Sequence, residues 1–375
     1  MNVSSPPLSP RQSLAAARTV VVKLGTQLLI DPSARLDASF LASIATQVVG
    51  LTQRGVRVAI VSSGAVGAGL RELGLDKRPA DLAKLQAVAA VGQRRLMDAW
   101  AAAFEPHGVH VGQVLLTRDD VDDRSRFLNL RNTIHAIHDL GAVPVINEND
   151  TVSTDELVRI TFGDNDILAA LVANALRADL LVLLSVVDGI LDAAGEPVRV
   201  VDSIDGAKAL VRTEKSTLGK GGMNSKVEAA RVVTGSGEAM VLANGRMPDV
   251  LLRIMDGQEV GTLFMPAPRK RSSRSRWIDS VQPAGTVTVD AGCAAALSKN
   301  KSLLAAGIIK VDGSFEPGDV VAIHDAAGKL LGRGLSNYTA ADLETIRGKK
   351  SSEVRALLAE SAYDEVIHRD NLVIS

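Results

Sequence analysis

Cysteine is almost absent: Cys293 is the only one in 375 residues, so no intramolecular disulfide staples the chain. Six histidines without close Cys or His companions give no structural zinc site. Both absences fit a reducing, cytoplasmic setting. Nothing reaches about 18 uninterrupted apolar residues, which excludes a membrane-spanning helix. The stretch 1–18 is rich in Ser, Pro and Ala, lacks the apolar run of a signal peptide and reads as a disordered, solvated tail. Net charge is scarce too: 42 Lys plus Arg against 43 Asp plus Glu leave no positive field for bulk nucleic-acid binding. Aromatics supply 3 % of residues while 46 % are hydrophobic. The core is therefore Ala, Val, Leu and Ile, which suits parallel strands layered under helices. Neither a GxxxxGK[ST] phosphate loop nor a GxGxxG fingerprint occurs, so a bound nucleotide needs another device.

What is present is a repeated strand–helix alternation. Thr19 to Leu24 is apolar but for Lys23, and Gly25 frees the backbone to turn. Asp37 is a candidate N-cap for a helix whose Leu41, Ile44, Val48 and Leu51 recur at helical spacing until Gly55; Arg57 to Val61 is the next strand. A crossover of this kind is right-handed and makes the two strands parallel, which brings Lys23 and Ser63 to one sheet edge. The pattern recurs at Val109 to Leu116, Ala142 to Asn147, Asp179 to Val186 and Glu238 to Ala243. The expected fold is α/β: an open, mostly parallel sheet sandwiched by helices over residues 19–265. Ligands of such sheets bind beyond the carboxyl ends of the strands. A basic run, PAPRKRSSRSR, begins at Pro266 and reads as a linker over 266–282. A small β-rich module, 283–375, follows, with strands expected at Gly285 to Asp290 and Asp319 to Ile323.

The strand-end loops carry the candidate chemistry. Lys23 interrupts a buried strand, and a buried ammonium needs an anion. VSSGAVGAG places Ser62, Ser63 and three glycines where backbone N–H groups can approach an anion, although a tight packing turn explains it almost as well. NENDTVSTDE clusters Asn147, Glu148, Asn149 and Asp150, able to orient an ammonium group or hold a metal, or to form an ordinary polar turn. Phe162-Gly163-Asp164-Asn165-Asp166 opens another helix, which Asp164 alone is able to cap. LGKGGMNSK, ending at Lys226, is a cationic, glycine-rich loop suited to polyphosphate. None of these loops contains a histidine. Phosphoryl transfer to an alcohol benefits from a base, whereas a carboxylate acceptor is already ionised at pH 7. Catalysis then reduces to positioning and charge neutralisation, and each ammonium opposing an anion is worth on the order of 4 kcal/mol at an effective dielectric of 20.

At VVKLGT, SSGAVGAG, AVGQRRLM, HVGQVLLTRDD, RFLNLRNT, VPVINENDTV, FGDNDIL, GKGGMNSK and HRDN the chain resembles the glutamate 5-kinases, a branch of the amino acid kinase family, over nearly its whole length after residue 18. The resemblance implies that Lys23 and Lys226 stabilise the transferring phosphoryl group and that Asp166 orients them. It implies that Ser63, Asp150 and Asn165 hold L-glutamate. ATP, with Mg²⁺ on its phosphates, falls to Lys23, Ser185, Val186 and the loop Lys220, Gly221, Gly222, Met223, Asn224, Ser225 and Lys226. Where the family carries a Thr-Asp or Ser-Asp pair, this chain has Ser185-Val186, which leaves that contact to backbone groups. The product implied is γ-glutamyl phosphate, committed to proline synthesis, with inhibition by proline. A dimer or tetramer and coupling to the next enzyme of the pathway are further expectations. The C-terminal module resembles a PUA domain; elsewhere such domains often bind RNA, but the near-neutral charge argues against that here. Two other readings remain open from sequence: an RNA-binding protein with an inert kinase-like half, and a sibling kinase acting on another acid.

Overall fold

A computed structural model describes residues 9–31, 35–152, 165–192, 194–213, 220–267, 272–358 and 363–374. The chain divides into two compact units, Met1–Lys270 and Arg271–Ser375.

Eight strands among the described residues form the sheet of the first unit: β1 (Thr19–Leu24), β2 (Arg57–Ser62), β3 (Val111–Leu116), β4 (Val143–Glu148), β5 (Leu180–Ser185), β6 (Val200–Val201), β7 (Ala239–Asn244) and β8 (Thr262–Phe264). Their order is β3-β4-β2-β1-β5-β7-β8-β6. The first six strands of that order pair in parallel, β8 runs antiparallel to β7, and β6 follows β8. In β1, β2, β4, β5 and β7 five of six residues are buried. Unbroken burial means that both faces are covered, and this is why these strands read as apolar runs rather than alternating ones. From β1 the chain runs through β2, the edge strand β3 and then β4, all on one side, before it crosses to β5 on the other side of β1. The β1/β5 junction is thus the switch point, where a crevice opens at the carboxyl edge.

Two helices shape that edge. The helix Leu82–Phe104 starts at Asp81, whose side chain accepts from the Lys84 N–H at 2.9 Å. It crosses the helix Ala65–Glu72 with glycine against glycine: a methyl on Gly92 would run into the Ala65 carbonyl, and one on Gly69 into that of Val88. The close approach fixes the N-terminus of Ala65–Glu72, which is entered through Gly64 at φ 106.

Three expectations change. From residue 9 onward the supposed tail belongs to the fold. Arg11 is buried, and its guanidinium donates to the carbonyls of Val260 (2.6 Å), Arg199 (2.7 Å) and Gly261 (2.8 Å), while Leu14 and Ala17 of the adjoining turn join the core. One arginine satisfies three carbonyls beside β6 and β8, a long-range pairing that local composition does not encode. The sheet also gains the short strands β6 and β8. Finally, the described part of the basic run is no linker: Ser272 caps a helix, Ser273–Ser280, that buries Arg276, Trp277 and Ile278. Consecutive basic residues on a helix point in different directions, so one of them is covered while another stays in water.

The second unit has its own five-stranded sheet, β9 (Gly285–Val289), β10 (Ile308–Gly313), β11 (Val320–Asp325), β12 (Leu330–Leu335) and β13 (Leu372–Ile374), in the order β10-β9-β11-β12-β13. Val287, Val289, Ile323, Phe315, Leu343 and Ile367 belong to its separate core. No described helix in either unit is long and apolar enough to cross a membrane.

Candidate active site

Lys23 is the penultimate residue of β1, paired with Val61 on one side and Leu183 on the other, and it is buried. Its ammonium meets Asp166, the second residue of the helix Asn165–Leu176, at 2.6 Å to Oδ1. The other carboxylate oxygen accepts from Lys226 Nζ at 3.0 Å and from Ser225 Oγ at 3.1 Å. Asp166 is 1 % exposed. Burial alone would push its carboxyl up, but Lys23 and Lys226, as charges and as hydrogen-bond donors, outweigh that and hold it down at about 2. One ionised carboxylate thus ties together two ammonium groups brought in from opposite ends of the unit.

Lys226 and Ser225 stand on a helix, Lys220–Gly235, and not on the loop expected for Lys220 to Lys226. Two adjacent glycines in a helix cost about 1 kcal/mol each relative to alanine. Here the Gly222 carbonyl accepts from both Lys226 Nζ (3.0 Å) and Ser225 Oγ (3.1 Å), and Asp166 anchors the same two side chains, which holds the first turns wound. Gly222 and Asn224 are exposed there and Met223 is half-buried; the side chain of Lys220 and the surroundings of Gly221 lie outside what is described. A helix N-terminus carries partial positive charge, and a lysine in its second turn adds to it, a combination suited to an anion.

One residue before Asp166, Asn165 faces a different cluster. Its Nδ2 donates to Ser63 Oγ and to Asn147 Oδ1, both at 2.9 Å, and Asn147 Nδ2 donates to Gln93 Oε1 at 2.7 Å. Asn165, Asn147 and Gln93 are all buried. Asn165 Oδ1 is buried with no hydrogen-bond partner among the described residues. Beside this chain of amides lies a pocket of about 280 Å³, lined by Gly64, Ala65, Asn147, Asp150, Asn165 and Arg78 among others. Neighbouring side chains on one helix therefore serve an amino-acid-sized pocket and the paired lysines. Asp164 and the rest of 153–164 lie outside the described residues.

Ser185 ends β5 opposite Asn244 of β7, and Val186 packs against the apolar core. A carboxylate does stand nearby: Asp188 accepts from Asn244 Nδ2 at 2.9 Å. Among the described residues no three His, Cys, Asp or Glu side chains group as metal ligands. Ser63, Asp150, Asn165, Lys23, Asp166, Ser225 and Lys226 thus fall into two adjoining clusters on the carboxyl edge. Gln93, Arg78 and Asp188 were not singled out from sequence. The one signal that pointed towards Gln93 was its place in AVGQRRLM.

The sequence matches the amino acid kinase family over residues 18–244 and the PUA domain over 285–358. It is 42 % identical to a glutamate 5-kinase of Dehalococcoides mccartyi (strain CBDB1), over 95 % of this chain and 98 % of that protein. A glutamate 5-kinase of Pseudomonas putida (strain F1) is 43 % identical over 97 % of this chain and 100 % of its own length. One of Moorella thermoacetica is 42 % identical over 97 % and 98 %. With a parallel sheet, a switch-point lysine and a full-length likeness of this extent, the chain belongs to the amino acid kinase family and carries a C-terminal PUA domain.

Proposed function

We propose that this protein transfers the γ-phosphoryl group of ATP to the γ-carboxylate of L-glutamate, giving γ-glutamyl phosphate and ADP, the first step of proline biosynthesis. The observation that carries the reading is the junction at residues 165 and 166: one side chain faces an amino-acid-sized pocket and the next holds Lys23 and Lys226 together. The full-length likeness to glutamate 5-kinases supports the choice of acceptor.

In this reading Ser63, Asp150 and Asn165 seat glutamate, and the polyphosphate of ATP lies over the N-terminus of Lys220–Gly235. A glutamate oxygen, ionised at neutral pH, attacks the γ-phosphorus while the bond to the β–γ bridging oxygen breaks and its electron pair leaves with ADP. No proton has to move. Asp166 stays ionised throughout, because its carboxyl is held near 2, and acts as a fixed positioning anion for both lysines. Ser185 and Val186 offer backbone groups to the nucleotide beside β1. Bound together with ATP, Mg²⁺ would supply further neutralisation of the phosphate charge; among the described residues no cluster of carboxylates is built to hold it, which suits an ion that keeps most of its waters.

The test is direct. Purified protein given glutamate, MgATP and hydroxylamine is expected to release ADP and form γ-glutamyl hydroxamate, with aspartate and N-acetylglutamate giving much less. ADP release without hydroxamate from glutamate, or a clear preference for either other acid, would count against the assignment.

A further inference from the structure

Among the described residues lining the acceptor pocket, Arg78 is the only cation and Asp150 the only anion. Arg78 is exposed on the rim and makes no hydrogen bond or ion pair within the described structure. A guanidinium is a planar fork matched to a carboxylate, and leaving one at a pocket mouth without an internal partner keeps it available to a ligand. Glutamate has three charged groups to place. Its γ-carboxylate goes towards the lysine pair held by Asp166, next to Asn165. The ammonium then has Asp150 and the unpartnered, buried Asn165 Oδ1 as acceptors. For the α-carboxylate the pocket offers Arg78, together with Ala65 and Val66 at the start of the helix Ala65–Glu72.

We propose that Arg78 receives the α-carboxylate of the acceptor and so selects glutamate with that group free over glutamate whose α-carboxylate is masked. The proposal rests on reading the pocket as the glutamate site. Every charged group of the substrate then meets an opposite or hydrogen-bonding group, whereas an α-amide leaves the guanidinium without an anion. Specificity of this kind comes from what the rejected ligand leaves unpaired.

The experiment compares wild type, Arg78→Gln and Arg78→Lys on L-glutamate and on isoglutamine, the α-amide that retains a free γ-carboxylate, reading hydroxamate formation and ADP release. Arg78→Gln is expected to raise the KM for glutamate about tenfold, the scale of one charge-assisted contact at an exposed rim, with the KM for ATP unchanged. The preference for glutamate over isoglutamine is expected to fall by a similar factor, a change that mere loosening of the fold would not produce. Arg78→Lys keeps the charge but loses the fork and is expected to lie between. A Gln variant that keeps both the wild-type KM and the wild-type preference overturns the proposal while leaving the kinase reading intact. If wild type makes no hydroxamate from glutamate, the functional reading fails, and the role of Arg78 fails with it.

Discussion

Replacing Lys226 by alanine is expected to leave the protein folded and to lower the glutamate-dependent rate about a thousandfold. An ammonium opposing an anion at 4 Å is worth on the order of 4 kcal/mol at an effective dielectric of 20, and each 1.36 kcal/mol is a factor of ten in rate. The fold survives because Asp166, the buried member of the cluster, keeps Lys23 at 2.6 Å and Ser225 at 3.1 Å. The glutamate KM should change little, since the side chains assigned to glutamate belong to the neighbouring pocket. Coupled ADP-release kinetics beside a thermal melt separate the two effects. A variant that melts like wild type and turns over at the wild-type rate would remove Lys226 from the chemistry.

Asp166→Asn is expected to act on both stability and activity. It strips the anion from between two ammonium groups, one of them the buried Lys23, and breaking a buried pair from one side costs about 3–5 kcal/mol. The rate should fall with it, because two like charges without their shared anion no longer hold a common position. The wild-type carboxyl is held at about 2, below its ordinary value of 3.8. A depressed folded-state pKa stabilises above the unfolded value and is lost as pH falls through the folded one. Wild type should therefore lose about 2 kcal/mol from this group between roughly pH 4 and pH 2, a component that the Asn variant lacks. Urea titrations of both proteins from pH 7 down to pH 2 check this. Equal stability at pH 7 and parallel acid profiles would show that the carboxylate is not the anchor.

Much of the first unit was legible because strands buried on both faces leave an unbroken apolar signal. β1, β2, β4, β5 and β7 lie within one or two residues of the runs that announce them. Lys23 was legible for the complementary reason, as the lone charge inside such a run. What escaped depends on contacts distant in sequence. Arg11 looks like part of a polar tail until its guanidinium meets Arg199, Val260 and Gly261. β8 spans three residues after Gly261, too short for any periodicity to register. The helix start at Lys220 was hidden by its glycines, which read as loop until Asp166 supplies the anchor for Ser225 and Lys226. Gln93 reaches the site only through Asn147, and Arg78 only through the closure of the pocket around it. The site's types of residue were thus visible, while the pairing of Asn165 and Asp166 back to back required the folded helix.

Two lysines sharing one phosphoryl group are the heart of the proposed mechanism. A crystal structure of the protein with glutamate, MgADP and an aluminium fluoride in place of that group is the most direct measurement. The ammonium nitrogens of Lys23 and Lys226 are both expected at about 3 Å from the fluoride ligands, with Asp166 still bridging them. A fluoride contacted by neither lysine, or by only one while the other stays out of hydrogen-bond reach in the closed complex, would contradict it.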